Sequence, residues 1–155
     1  MKRTKIRMAL CITLIVLLLT FIWGNSLLPG EVSGAFSRWV KELLSRLFGL
    51  PSGDPEAGHG LLRKLAHFTE FTCLGVSLCW LFSMLRKKFY IPLLCGFLVA
   101  CTDETIQCFI PDRGPALKDV AIDTAGVAVG IALLMAAAAI YQKRKNMKIL
   151  EETKQ

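Results

Sequence analysis

Residues 89–113 read FYIPLLCGFLVACTDETIQCFIPDR. The stretch is apolar at first, then carries Asp103, Glu104 and Gln107 before Pro111 and Arg113. Its apolar length is close to the ~20 residues a helix needs to cross hydrocarbon. A charged side chain at the centre of a bilayer, however, costs roughly 2.5–3.5 kcal/mol on insertion scales. A membrane helix keeps two adjacent carboxylates only if they are paired, wet or used. Both sit at one end of the run, so the fold must gather polar partners at that one level.

Working outward, three further apolar runs flank this one, at about residues 8–28, 65–85 and 120–141. Mean hydropathy is +0.49, and 54% of residues are hydrophobic, the balance of a membrane protein. The expected fold is all-α and polytopic, with four transmembrane helices at about 8–28, 65–85, 89–110 and 120–141. A length of 155 residues fits one such domain, 8–141, between a basic N-terminus, 1–7, and a basic tail, 142–155. Met8–Trp23 is long for the apolar core of a signal peptide, and no small-x-small site follows closely. It reads as an uncleaved first helix ended by Asn25, Ser26 and Pro29.

Between the first two runs, Phe36, Trp39, Val40, Leu43, Leu44, Leu47 and Phe48 keep helical spacing, with Arg38, Lys41, Glu42 and Arg46 on the other face. This predicts an amphipathic helix over about 33–50, lying in the membrane interface or packed on the protein's own core. Residues 51–60, PSGDPEAGHG, read as loop, with His59 in solvent.

The net charge of +7 does not form a nucleic-acid footprint. The basic residues cluster beside apolar runs: Lys2, Arg3, Lys5 and Arg7; Arg86, Lys87 and Lys88; Lys143, Arg144, Lys145 and Lys148. With four crossings, one topology puts all three clusters inside, so both termini are expected to be cytoplasmic. The six cysteines form no C-x-x-C pair and read as small buried apolar residues.

In that orientation the polar residues gather within roughly 10–12 Å of the outer face, at 1.5 Å per helical residue. His67 and Glu70 open the second run, Asp103, Glu104 and Gln107 close the third, and Asp119 and Asp123 open the fourth. Asn25 and Ser26 arrive at the same level. Lys64, His67 and Glu70 step by three, and Asp119, Asp123, Gly126 and Gly130 form one stripe. The two glycines allow a neighbouring helix to come close. The acids outnumber Lys64, His67, Arg113 and Lys118, so either some are protonated or a cation completes the balance.

The chain resembles the VanZ family of small bacterial membrane proteins at four places, together covering about Ile12 to Tyr141. Ser26-x-x-Pro29 ends the first helix. Arg63-Lys64-x-Ala66-His67-Phe68-x-Glu70-Phe71 opens the second. Asp103-Glu104-x-x-Gln107-x-Phe109-x-Pro111-x-Arg113 ends the third. Asp119-Val120-x-x-Asp123-x-x-Gly126-x-x-x-Gly130 opens the fourth. It departs from the family pattern at Asp112, where glycine is common, at Ala116 for serine, at Asp123 for asparagine and at Phe71 for tyrosine. The resemblance implies a multi-pass protein of the bacterial cytoplasmic membrane; the founding member is associated with resistance to teicoplanin.

Three functional readings follow. In the first, an outward-facing pocket of Lys64, His67, Glu70, Asp103, Glu104, Gln107, Arg113, Asp119 and Asp123 binds an amphiphile, either a lipid-linked cell-wall intermediate or a lipoglycopeptide. In the second, the protein is an enzyme using His67, Glu70, Asp103 and Glu104 for acid–base chemistry, or Asp103, Glu104 and Asp119 for a divalent cation. The sequence requires no cofactor and names no reaction. In the third it is a small transporter, against which the apolar inner halves of the helices argue. Beside these stands a network that only ties the helices together.

Overall fold

The computed structural model describes residues 2–32, 35, 38–39, 42–43, 46, 59–111, 113–114 and 116–153, with backbone alone at 59–62 and 152. Among the described residues the chain is helical and has no strand. Four helices follow in order: α1, Lys2–Ser26; α2, His59–Met84; α3, Tyr90–Gln107; and α4, Leu117–Glu152. Residues 30–32, 35, 38–39, 42–43 and 46 are helical as well, with Trp39 and Leu43 exposed. The remainder of the expected amphipathic helix over 33–50, and most of the expected loop, lie outside the described residues.

Among the described residues, three helical stretches are long and apolar enough to cross a membrane: Lys2–Ser26, Arg63–Met84 and Leu117–Glu151. The third run, expected as a fourth span, falls short of that length and hydropathy. Its helix has only 18 residues, and Asp103, Glu104 and Gln107 fall in its last turns. These polar groups dilute the apolar window, and the chain turns away at Cys108 with bonds of the i→i+3 kind from Phe109 and Ile110.

The other boundaries also shift. α2 begins at His59, inside the stretch read as loop. α4 does not stop at Tyr141 but continues to Glu152, 36 residues in all. Residues 141–152 contain no glycine or proline and are rich in Lys, Arg, Gln, Met, Leu and Glu, so nothing in them breaks a helix. α2 ends with Arg86 in the left-handed region, at φ 53°, while the Lys87 N–H donates to Phe82 O at 3.0 Å. That closure usually employs glycine.

The helices bury small or apolar stripes and leave large apolar side chains outside. Cys11, Ile15 and Ile22 of α1, Phe71, Leu74 and Leu78 of α2, Ala100 of α3, and Val127 and Ile131 of α4 form the core. Leu10, Leu17, Phe21, Leu94, Leu98 and Leu133 are exposed. So much apolar surface would drive a water-soluble monomer to aggregate; facing lipid tails it has no such penalty. Cys11 alone among the cysteines is buried, while Cys73 and Cys108 are exposed. The reading of the cysteines as buried is corrected accordingly, because apolar residues in this fold stand on outward helix faces as well as on the packed ones.

Close approach of α2 and α4 rests on glycine. A Cβ on Gly126 would stand 2.7 Å from Phe68 O, and one on Gly130 would collide with Thr72 O. On the opposing helix, a Cβ on Gly75 would collide with Val127 O. No real side chain fits at such distances, so these three glycines fix how near the two backbones lie. That spacing brings Lys64 and His67 of α2 against Asp119 and Asp123 of α4.

Candidate functional site

The buried face of α3 is built from Pro92, Gly96, Ala100, Asp103, Glu104 and Gln107. These residues recur with helical period, so the acids continue the face that packs against the other helices. Asp103 is fully buried, and Glu104, Gln107 and Asp123 nearly so. The carboxylates are held inside the bundle because they share a stripe with the small residues that let α3 dock.

Hydrogen bonds then fix the group. Gln107 Nε2 donates to Asp103 Oδ2 at 2.8 Å, one turn away on the same helix. It also reaches Ser26 Oγ at the end of α1, at 3.2 Å. Asn25 Nδ2 donates to Glu70 Oε1 of α2 at 3.3 Å. Arg113, in the α3–α4 connection, donates from Nη2 to the Asn25 carbonyl at 3.0 Å. Gly30 N donates to Pro111 O at 3.4 Å, so the chain just after α1 is tied to the chain just after α3.

Glu104 Oε2 accepts the Ala116 N–H at 3.0 Å. Ala116 opens α4 in extended conformation and has no side-chain oxygen to cap it. A carboxylate of α3 thus holds the start of α4, where negative charge is favourable. Lys64 Nζ lies 3.4 Å from Asp119 Oδ1, with 35% and 20% of their side chains exposed. That partly solvated pair forms the rim.

His67 Nδ1 is 3.9 Å from Asp103 Oδ2. This is too long for a hydrogen bond. His67, Asp103 and Asp123 each place one ligand-capable atom so that all three lie within 4.8 Å of one another. Several buried polar atoms have no hydrogen-bond partner: His67 Nδ1, Glu70 Oε2, Asp103 Oδ1, and Nε and Nη1 of Arg113. Burial, and then the charge of Arg63, lower the Arg113 guanidinium from its ordinary value. It nonetheless keeps its proton, as guanidinium groups in proteins do.

All nine residues singled out as a candidate pocket fall at this one end of the bundle. The set proposed for a cation, Asp103, Glu104 and Asp119, is divided: Glu104 serves Ala116, Asp119 serves Lys64, and Asp103 turns toward His67 and Asp123 instead. Arg63 was not among the candidates, yet it lines the recess with Lys64, His67, Glu104, Gln107, Asp119, Ile122 and Asp123. Its position four residues before His67, on the same helix face, was the available signal. The recess encloses about 20 Å³, room for one water, one ion or one functional group.

Buried polar groups at one end, apolar side chains exposed elsewhere and three stretches long and apolar enough to cross a membrane define a small all-helical protein. Within that class, the family model described as VanZ/LLP1 matches residues 8–140, and the chain belongs to the VanZ family. No curated protein and no solved structure matches it.

Proposed function

We propose that this protein is a multi-pass component of the bacterial cytoplasmic membrane that acts on the cell envelope by engaging the polar end of an amphiphile. In this reading α3 makes the fourth crossing beside the three longer apolar helices, and both termini lie in the cytoplasm. The polar end of the bundle then faces outward. Its ligand is a lipid-linked cell-wall intermediate or a lipid-tailed glycopeptide such as teicoplanin.

The observation that supports this reading is the recess itself. It carries Arg63 and Lys64 on one wall and Glu104, Asp119 and Asp123 on the other, beside helices with apolar outer surfaces. An amphiphile can lay its tail along those surfaces while one anionic or hydroxyl group meets the rim. A recess of about 20 Å³ takes a single such group and leaves the rest of the headgroup on the surface. Arg63 and Lys64 give the charge that phosphate or carboxylate needs.

The test is teicoplanin susceptibility in a sensitive Gram-positive host, with wild type, Arg63→Gln and Lys64→Gln at matched membrane levels. Protection by wild type that both rim variants lose supports the reading. Protection that survives in both variants removes the rim from it. Absence of protection by wild type removes the glycopeptide as ligand.

A further inference from the structure

We propose that His67, Asp103 and Asp123 bind one divalent first-row transition-metal ion through one imidazole and two carboxylates, of the kind that suits manganese or zinc. Three helices contribute one ligand each, α2, α3 and α4, and the ligand atoms already lie within 4.8 Å of one another. Metal–nitrogen and metal–oxygen bonds of about 2.0–2.2 Å place neighbouring ligand atoms about 3 Å apart, so the widest separation closes by up to about 2 Å on an ion.

Two independent features point to a cation rather than to a finished hydrogen-bond network. First, Asp103 is fully buried, yet only Oδ2 is satisfied, by Gln107; Oδ1 has no partner. His67 Nδ1 has none either. A buried carboxylate oxygen and a buried ring nitrogen without partners are each costly unless something fills the space between them. Second, among the described residues no positive side chain closes on the two acids, Arg63 on the wall of the recess included. Lys64 pairs with Asp119, and Arg113 donates to the Asn25 carbonyl. Among the described residues neither Asp103 nor Asp123 has a lysine or arginine within 4.0 Å. A divalent ion balances the two carboxylates and takes neutral imidazole as its third ligand.

The surroundings have the parts such a site uses. Gln107 holds Asp103 and is itself held by Ser26, which fixes the carboxylate plane from the second layer. The recess is lined by His67, Gln107 and Asp123 and has room for one water, which supplies an open coordination position. No cysteine belongs to the group, so nitrogen and oxygen chemistry decides the metal. The inference deepens the reading of the same recess. Because its test uses metal alone, its failure is distinct from failure of the amphiphile reading.

The experiment uses the full, untagged chain in detergent, stripped with chelator and titrated with Mn²⁺ followed by electron paramagnetic resonance. Co²⁺ absorption, as a stand-in for zinc, runs in parallel. The expected result is saturation at one ion per chain and a Co²⁺ spectrum without a sulfur-to-metal band. His67→Gln and Asp123→Asn should each weaken binding by about tenfold or more, while Gly24→Ala, which meets nothing within 4 Å, leaves it unchanged. Metal should also raise the thermal midpoint of wild type. Lack of saturable binding up to about millimolar metal, or a thiolate band placing the ion on cysteine, overturns the proposal. So does a folded His67→Gln, Asp123→Asn double variant that binds as wild type does. Should these variants fail to fold, the wild-type stoichiometry and spectrum decide alone.

Discussion

Ser26 and Gln107 stand 81 positions apart in sequence and meet at 3.2 Å, where the last residue of α1 touches the last residue of α3. Gln107 is also the donor to Asp103. One amide therefore closes two helices together and orients the most buried acid among the described residues. Gln107→Ala removes both bonds and leaves Asp103 with the Ser26 hydroxyl as its hydrogen-bond neighbour. We expect a loss of about 1–3 kcal/mol in stability, read as a lower thermal midpoint in detergent. Ser26→Ala, which keeps the Gln107–Asp103 bond, should fall between that variant and wild type.

Glycine positions on the α2–α4 seam should separate cleanly from glycine elsewhere. Gly130→Ala drives a methyl group into Thr72 O, and Gly126→Ala into Phe68 O. Overpacking of this kind typically costs about 1–3 kcal/mol, more when backbone is the obstacle. Gly24→Ala on α1 meets nothing within 4 Å. It should leave stability unchanged or raise it by up to about 1 kcal/mol through helix propensity. Thermal unfolding of the three variants side by side checks this, and equal effects would contradict the packing described.

The Lys64–Asp119 pair should matter little for stability. Both side chains reach solvent, and exposed ion pairs contribute about 0–1 kcal/mol. Lys64→Gln is expected to fold as wild type does, with any small deficit disappearing in high salt. The same substitution should abolish protection in the susceptibility assay, which makes it the variant that distinguishes binding from folding.

Thiol labelling reads the orientation. Cys108 is exposed just past the end of α3, next to the polar cluster, whereas Cys73 is exposed in the middle of α2. In intact cells an impermeant reagent should modify Cys108 and spare Cys73, since lipid covers the latter. Labelling of Cys108 only after permeabilisation would reverse the topology and turn the recess to the cytoplasm.

Much of this arrangement was legible in the chain, for definable reasons. Helical runs showed because apolar length and basic flanks are local properties. The stripe from Asp119 to Gly130 showed because a helix repeats every 3.6 residues, and α4 does bury Asp123, Gly126 and Gly130 on one side. What did not show is how the stripes of different helices are rotated against one another. Asp103 and Glu104 are neighbours in sequence with different duties, one toward His67 and one toward Ala116. That division depends on how α3 docks, which no single-helix pattern states. The length of α3 was also misjudged, because apolar residues on both sides of Asp103 and Gln107 obscured where its helix stops.

The unbroken course of α4 has a mechanical meaning. Its 36 residues extend about 54 Å at ~1.5 Å each, well beyond the ~30 Å of hydrocarbon. Asp119 and Asp123 stand near one tip, and Lys143, Arg144, Lys145 and Lys148 near the other, exposed on every side. A strut of this kind has no joint at which to absorb displacement. A push on its basic end is therefore carried undiminished to Asp123 at the other.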